Sequence, residues 1–383
     1  MVWKRRLAAF VGRTDDFIDG ARAPLRRLWP ASGPFFIAAY ASYGTRDDVF
    51  VHGRVLEDEG FVAPGAGQRT WRNLVELYKR FESDEVPQAR VRVRFAGVDE
   101  TVTADMEGYF RADLSLATPL ERSGWHEAQL ELVAPLPRAG AAVRAAAPIL
   151  VPPRTARFGV ISDLDDTVMW TNVTDKLRML LLLVRSNAHT RKPFKGVAAF
   201  YRALRDGTGG AENNPVFYVS GSPRNLYTPL VEFLRLQRIP EGPLLLKDFG
   251  DHTLFASGDQ QLHKLSHIER IFARYPELPF VLIGDSGEKD PEIYTEVVRM
   301  HPQRVRVLYI RSIDPDPDRI AAIDRLIAEV REAAVQLVLA PDTEFAAAHA
   351  AAEGLIGTQG LADVRADKRE ELDGPPAGAK REA

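Results

Sequence analysis

The hydrophobic and polar positions divide the chain into a β-rich part and a part in which strands alternate with helices. Apolar and polar residues alternate in short runs over residues 89–151, and residues 36–56 show the same texture. Several short strands at this spacing predict a β-sandwich-like domain over residues 33–152. A helical stripe at residues 69–81 interrupts the strands, and we expect it to pack onto the sandwich.

From residue 157 the pattern changes to continuous apolar runs separated by helical stretches. Such runs are typical of strands that are buried on both faces of a mostly parallel sheet. We therefore expect an α/β domain over residues 155–340 and a flexible, solvated tail over residues 341–383. The predicted strands are 157–162, 215–220, 243–249, 279–285 and 305–310, and the predicted helices are 225–237, 260–275, 290–300 and 316–339.

Residues 1–32 predict a basic amphipathic segment. Its apolar residues fall roughly at helical spacing, namely Trp3, Leu7, Phe10, Phe17 and Ile18. Arginines and a lysine lie between them. Residues 1–30 contain seven Lys or Arg and three Asp, a net charge of +4. Because the whole chain has a net charge of −3, the remaining residues have a net charge of −7. Two interpretations stay open: a helix packed on the body of the protein, or a helix lying on an anionic membrane surface.

Composition narrows the function classes. The 383 residues are 45% hydrophobic and 27% charged, which is ordinary for two or three folded domains. The chain has no cysteine, which removes thiol catalysis and thiolate metal sites. Its near-neutral charge lacks the basic excess of a nucleic-acid-binding protein. No apolar run approaches the roughly 20 residues of a membrane span, so we expect a cytoplasmic protein with peripheral membrane contact as its alternative.

Polar residues that suit phosphate chemistry follow several of the predicted strands. Asp163, Asp165, Asp166 and Thr167 come after the first strand, and the segment 220–223 follows the second. In open α/β sheets the ligand lies beyond the carboxyl ends of the strands. One carboxylate at a strand end can act as a nucleophile, and a second two residues later can exchange a proton with the same substrate.

The remaining pieces extend this pattern. Ser222 is expected to cap a helix with Pro223 at its first position, which would aim a hydroxyl and free amides at an anion. Lys264 lies on the helix before the fourth strand, Asp285 ends that strand, and Asp290 follows it. Converging aspartates without Cys or His favour a hard cation, most plausibly Mg²⁺. Each piece alone has an ordinary explanation as a cap, a turn or a solvated lysine, but their joint order at strand ends favours function.

The strings DLDDT, YVSGSP, HKLSHI and IGDSGEKDPEIY, in that order, resemble the four motifs of the haloacid dehalogenase superfamily of aspartate-nucleophile phosphohydrolases. SDLDDTV, SGSPRNLY and GDSGEKDPEIY resemble the actin-patch-protein phosphatidate phosphatase family in particular. The resemblance covers roughly residues 155–315. It implies a Rossmann-like haloacid dehalogenase core with a mostly parallel sheet, preceded by the β-rich domain.

The resemblance also implies residue roles. Asp163 would attack phosphorus to form an aspartyl-phosphate, and Asp165 would protonate the leaving alkoxide and later activate water. Ser220 and Lys264 would hold the phosphoryl oxygens, with Lys247 as the second candidate for the lysine. Mg²⁺ would be held by Asp163, by the backbone carbonyl of Asp165 and by the side chain of Asp285, with Asp290 assisting from nearby.

The substrate follows less directly, because one fold serves many phosphate esters. The resemblance implies phosphatidate, which would be hydrolysed to diacylglycerol and phosphate. The basic N-terminal segment and the apolar run at 177–184 are compatible with a lipid, although that run also fits a buried helix. The alternatives are a phosphatase for a soluble metabolite or a phosphoprotein, and a non-catalytic phosphate-binding adaptor.

Overall fold

The computed structural model describes residues 34–57, 85–136, 142–164, 167, 196–247, 257–313 and 316–373. Several predictions lie outside these residues, namely the basic N-terminal segment, the helical stripe at 69–81, the apolar run at 177–184, and Asp165 with Asp166. Within them the expected α/β class is confirmed, with one mixed sheet and one parallel sheet. The domain boundaries stay predictions.

Eight strands in the N-terminal half form a mixed sheet. Alternation decides which side chains are buried: in the segment RVRVRF, Val91, Val93 and Phe95 face the core while Arg90 and Arg92 are exposed. All pairings are antiparallel except that of β2 with β8. The hydrogen bonds link the strands into one sheet, and a sandwich of two sheets stays a prediction. The strands are β1 Phe35–Ala39, β2 Ser42–Gly44, β3 Asp48–Glu57, β4 Arg90–Phe95, β5 Val98–Thr103, β6 Tyr109–Ser115, β7 Gly124–Ala134 and β8 Arg144–Val151.

Six strands in the C-terminal half form a sheet in which every pairing is parallel, in the order β11-β10-β9-β12-β13-β14. This is the doubly wound strand order 3-2-1-4-5-6. The chain adds strands on one side of β9 up to β11 and then continues on the other side from β12, so the switch point lies between β9 and β12. The carboxyl ends of those two strands therefore border the crevice where a ligand is expected. The strands are β9 Gly159–Ser162, β10 Val216–Pro223, β11 Leu244–Lys247, β12 Phe280–Asp285, β13 Val305–Arg311 and β14 Gln336–Ala340.

Helices cover both faces of the parallel sheet, because successive strand residues point to opposite sides. Val160 packs into the core cluster that includes α1, α2, α6 and α7, and Ile161 packs into the cluster that includes α3, α4 and α5. The helices are α1 Val197–Asp206, α2 Tyr227–Leu236, α3 Ser257–Arg274, α4 Asp290–Met300, α5 Pro317–Glu332, α6 Thr343–Ala352 and α7 Thr358–Asp373. Within the described part of the chain, none of them has the length and apolar character needed to cross a membrane.

The two sheets pack against each other beside α2 and α3. Tyr43 of β2 lies in one core cluster with Phe217, at a ring-centroid distance of 5.5 Å. The Tyr227 hydroxyl of α2 accepts a hydrogen bond from the amide of Ala41 at 2.6 Å. The β-rich sheet thus directly supports the elements that follow β10 and precede β12.

The C-terminal predictions need correction. The helix predicted over 316–339 ends at Glu332, and Gln336–Ala340 forms the edge strand β14. Ala334 has a φ of 58°, a left-handed conformation that ends helices, and Val335 then enters the core. The tail predicted over 341–383 was wrong for Thr343–Asp373, which forms α6 and α7. The Ala-rich run is helical because its small side chains are buried against the sheet.

Candidate active site

Asp163 and Asp285 lie at the carboxyl ends of the two central strands. β9 pairs with β12 so that Ser162 is opposite Ile283, and the amide of Asp163 donates to the Ile283 carbonyl at 2.8 Å. Asp285 ends β12, and Asp290 begins α4 five residues later. The predicted convergence of these aspartates therefore follows from the register of two neighbouring parallel strands.

The three aspartates form a buried cluster. Each offers a carboxylate oxygen, and these oxygens all lie within 4.8 Å of one another. Lys264 of α3 is only 1% exposed, and its Nζ lies 2.7 Å from Oδ1 of Asp163 and 2.7 Å from Oδ1 of Asp290. Glu288 adds a carboxylate oxygen at 3.3 Å from the same ammonium. One lysine is thus surrounded by a larger negative charge.

Backbone amides orient the Asp285 carboxylate. Its Oδ1 accepts hydrogen bonds from the amides of Gly287 at 2.7 Å and Glu288 at 2.8 Å. Its Oδ2 is buried and has no hydrogen-bond partner among the described residues. The lone pairs of Oδ2 could therefore coordinate a metal ion.

Close packing requires a glycine before Asp285. A Cβ at Gly284 would lie 2.5 Å from Oδ2 of Asp290, well inside van der Waals contact. The same Asp290 oxygen accepts a hydrogen bond from the amide of Asp285 at 3.3 Å. The strand end and the first turn of α4 can approach each other this closely only because residue 284 lacks a side chain.

Burial and mutual repulsion make the acidic cluster hold protons more tightly. Burial first, and then the charge of Asp290, raises the pKa of Asp285 to about 7. Burial also raises the pKa of Asp290, although Lys264 opposes this. For Lys264, burial would lower the pKa, but the carboxylates of Asp163 and Asp290 outweigh it and hold the pKa well above its ordinary value. Lys264 is therefore held in its charged form, while Asp285 and Asp290 hold protons more tightly than ordinary aspartates do.

The donor set fits a hard divalent cation. Three buried carboxylates without Cys or His are the ligands that Mg²⁺ prefers, and it is usually held by one or two carboxylates together with substrate oxygens and water. The buried Oδ2 of Asp285, which has no hydrogen-bond partner among the described residues, is the atom that such an ion would contact. Asp163, Asp285 and Asp290 could hold such an ion.

Ser220 is buried at the neighbouring strand end. β10 pairs with β9, with Tyr218 opposite Ser162, so Ser220 of β10 lies past the last residue of β9, towards the sheet edge where Asp163 follows β9. Its Oγ accepts a hydrogen bond from the amide of Ser222 at 2.9 Å. This bond holds the segment after Ser220 in a compact, irregular stretch of β10, where the pairing with β11 shifts register.

The predicted helix cap at Ser222 was wrong. β10 continues to Pro223, which has extended backbone angles, and a short 3₁₀ turn at Arg224–Leu226 comes before α2. Pro223 therefore precedes the turn instead of starting a helix. Arg224 is buried, and its guanidinium lies 4.6 Å from the centre of the Tyr109 ring of the β-rich sheet. This contact ties the segment after Ser220 to the other sheet.

Three further predicted residues lie outside the aspartate–lysine cluster or outside the described residues. Lys247 ends β11, the edge strand, and the ion pairs of the aspartate cluster run to Lys264. Thr167 is buried, and its hydroxyl has no hydrogen-bond partner among the described residues. Asp165 lies outside the described residues, so its predicted role stays a prediction.

Sequence patterns did not point to Arg319 of α5. Its Nε donates to the Ser286 carbonyl at 2.8 Å, and Nη2 donates to the Glu288 carbonyl at 2.6 Å. The only local signal is the helix start at Asp316 and Pro317, where Asp316 caps the helix. That signal predicts where the helix begins, but it does not predict that Arg319 contacts the loop after β12.

The part of the chain that contains this site is similar in sequence to a known enzyme family. Residues 158–312 match the family model of the catalytic domain of phosphatidate phosphatase APP1. The predicted resemblance to the actin-patch-protein phosphatidate phosphatase family is confirmed. The chain is 33% identical over 157 residues to phosphatidate phosphatase APP1 of Saccharomyces cerevisiae, covering 40% of this chain and 26% of the relative. All the predicted site residues fall inside the range that matches the APP1 catalytic domain.

Other similarities are more distant. An uncharacterized protein of Schizosaccharomyces pombe is 27% identical over 255 residues, covering 65% of this chain and 40% of that protein. The chain thus spans less than half the length of either curated relative. Among solved structures, a carbohydrate acetylesterase from Xanthomonas citri aligns with 79% of this chain and 75% of its own at 13% identity, with a TM-score of 0.26.

Proposed function

We propose that this chain is a Mg²⁺-dependent phosphatase that works through an aspartyl-phosphate and hydrolyses phosphatidate to diacylglycerol and phosphate. The observation that carries the proposal is the buried contact of Lys264 with Asp163 and Asp290, at the sheet edge where Asp285 also ends its strand. The match of residues 158–312 to the APP1 catalytic domain supports both the reaction and the lipid substrate. In this proposal residues 155–340 form a haloacid dehalogenase-like core.

Each residue has a defined task in the proposed reaction. A carboxylate oxygen of Asp163 bonds to phosphorus, and the bond from phosphorus to the lipid oxygen breaks. Asp165 gives its proton to the departing diacylglycerol oxygen and later takes a proton from water, which bonds to phosphorus and releases Asp163. The ammonium of Lys264 lies 2.7 Å from a carboxylate oxygen of Asp163 and offsets its negative charge before attack.

The phosphoryl oxygens also need compensating positive charge. The Ser220 hydroxyl and the Lys264 ammonium supply hydrogen-bond donors at the sheet edge, where fixed charges act strongly because little water is present. Mg²⁺, when bound, would stabilise negative charge on the transferring group. Asp163, Asp285 and the Asp165 carbonyl would hold the ion, with Asp290 assisting through its contacts with Lys264 and the Asp285 amide.

The substrate class is tested with the purified full chain, Mg²⁺, phosphatidate vesicles and a panel of soluble phosphate esters. We expect release of diacylglycerol and phosphate from phosphatidate. Asp163→Asn should lower this rate by about 10³-fold or more, because it removes the nucleophile. Asp99→Asn, which changes an exposed aspartate paired with Arg92 on the β-rich sheet, is the matched control. Turnover of soluble esters alone would contradict the lipid substrate, and no turnover of any ester would contradict an enzyme.

We further propose that this chain is cytoplasmic and that residues 1–30 bring it into peripheral contact with anionic membranes. The net charge of this segment is +4, which near anionic lipid is worth at most about 4 kcal/mol at about 1 kcal/mol per charge. Deleting residues 1–30 should weaken sedimentation with anionic vesicles while leaving hydrolysis of a small soluble ester unchanged. Equal sedimentation of both proteins would remove the membrane role.

A further inference from the structure

Arg319 fastens the loop between β12 and α4 from outside the family match. Its side chain reaches back from the first turn of α5 to the carbonyls of Ser286 and Glu288, at 2.8 Å and 2.6 Å. The same guanidinium also binds the carboxylate of Glu292 in the first turn of α4, with Nη2 at 3.0 Å from Oε2. One planar fork thus holds three points of the segment that joins Asp285 to α4.

The contact with Ser286 bears directly on Asp285 because of peptide geometry. The Ser286 carbonyl and the Gly287 amide belong to one planar trans peptide group, so they point in opposite directions. The carbonyl accepts from Arg319, and the amide donates to Oδ1 of Asp285 at 2.7 Å. Fixing one side of this peptide group therefore fixes the hydrogen bond on its other side.

We propose that Arg319 is a positioning residue for the cation site. Through the Ser286–Gly287 peptide it holds Oδ1 of Asp285, so that Oδ2, which has no hydrogen-bond partner among the described residues, is presented to the ion. This inference rests on the cation site of the proposed function. It extends the functional unit past residue 312, where the family match ends, into α5.

A simple surface ion pair between Arg319 and Glu292 does not account for these contacts. Such an exposed pair contributes little to stability and would leave the loop carbonyls to water. The loop also has a second attachment, because the amide of Ile313 donates to Oγ of Ser286 at 2.8 Å. A variant that lacks the guanidinium should therefore keep the loop attached and lose mainly its fine orientation.

The test measures Mg²⁺ binding to the full chain by calorimetry without substrate, together with the Mg²⁺ dependence of phosphatidate hydrolysis. Arg319→Met should raise the Mg²⁺ dissociation constant by about 10-fold or more, the usual cost of losing a group that orients a metal ligand. Arg319→Lys should have a smaller effect, because one ammonium can still reach one carbonyl. Saturating Mg²⁺ should restore most of kcat in both variants, with KM for phosphatidate unchanged.

Arg299→Met is the matched control. Arg299 also links α4 to α5, by binding Glu296 and Glu329, but it contacts no carbonyl of the loop. This control should bind Mg²⁺ as the native chain does. An unchanged Mg²⁺ dissociation constant in Arg319→Met and Arg319→Lys, with only a lower melting temperature, would overturn the positioning role.

The proposed reaction and the role of Arg319 can fail separately. If the native chain binds Mg²⁺ but hydrolyses no phosphate ester, and Arg319→Met weakens that binding, then the reaction is wrong and the positioning role stands. If the native chain hydrolyses phosphatidate and binds no Mg²⁺, then the cation site and this role are both wrong.

Discussion

Replacing Lys264 with methionine should destabilise the protein far more than replacing a surface lysine. The Lys264 ammonium lies 2.7 Å from Asp163 and 2.7 Å from Asp290, and all three side chains are almost fully buried. Methionine keeps most of the length of the side chain and removes the charge. The substitution therefore leaves two buried carboxylates without their cation.

The size of the effect follows from these distances. At an effective dielectric constant of about 20, each 2.7 Å pair has a Coulomb attraction of about 6 kcal/mol, which desolvation largely offsets. Removing one partner of a buried pair costs about 3–5 kcal/mol in practice, because the remaining charge stays buried. We expect a loss of this size in the free energy of unfolding near neutral pH, measured by urea unfolding in EDTA.

The charge imbalance gives a second signature. Without Lys264 the folded-state pKa of Asp290, which burial already raises, should rise further above its unfolded value. The folded state then binds more protons than the unfolded state, so the stability of Lys264→Met should fall as pH rises towards 8 and recover towards pH 5. Adding Asp290→Asn removes one of the uncompensated charges, so the double variant should be more stable than Lys264→Met alone.

Lys368→Met is the control for this prediction. Lys368 also contacts two carboxylates, those of Asp342 and Glu344 at 2.9 Å, but at the surface. Its replacement should cost less than about 1 kcal/mol. A similar loss in both variants would show that burial does not strengthen the Lys264 contacts. Losses for Lys264→Met and Asp290→Asn that add within about 0.5 kcal/mol in the double variant would show that the two side chains do not interact.

Two further predictions concern packing and pH. Gly284→Ala places a Cβ 2.5 Å from the Asp290 carboxylate. It should lower the free energy of unfolding by about 1–3 kcal/mol and weaken Mg²⁺ binding, measured by calorimetry, at least 10-fold. The control Gly209→Ala, with no atom within 4 Å of its Cβ, should match the native chain. Equal Mg²⁺ binding by both would show that Asp290 needs no such close approach. Burial, with a smaller contribution from the charge of Arg224, lowers the pKa of His52 to about 3. The unfolded chain then takes up a proton that the folded chain does not, so stability should fall by about 2 kcal/mol from pH 7.5 to pH 5 through this group alone. His52→Gln should show a correspondingly shallower fall in urea unfolding, and an equal fall would contradict this assignment.

The convergence of the aspartates could be predicted from sequence because sheet geometry enforces it. Asp163 follows one continuous apolar strand and Asp285 ends another, and neighbouring parallel strands end at one edge. Lys264 could be placed only through the order of motifs, since a helix position does not by itself say which strand end the side chain reaches. Its contacts with Asp163 and Asp290 depend on how α3 packs against the sheet.

Other features depend on tertiary contacts that local patterns do not encode. Ser222 and Pro223 have the composition of a helix start, but the bond from the Ser222 amide to the Ser220 hydroxyl and the pairing with β11 keep them in β10. The Ala-rich segment after residue 341 resembles a solvated tail in composition and is helical because the sheet buries it. Arg319 lies 34 residues after Asp285 (319 − 285), so no sequence spacing connects the two.

In the proposed reaction Asp163 receives the phosphoryl group. The direct measurement is acid quenching of the full chain during turnover of ³²P-labelled phosphatidate with Mg²⁺, followed by mapping of the labelled peptide. We predict label on the peptide that contains Asp163, at a level that Asp163→Asn abolishes together with turnover. Label on another residue, or continued turnover by Asp163→Asn, would contradict the assigned nucleophile.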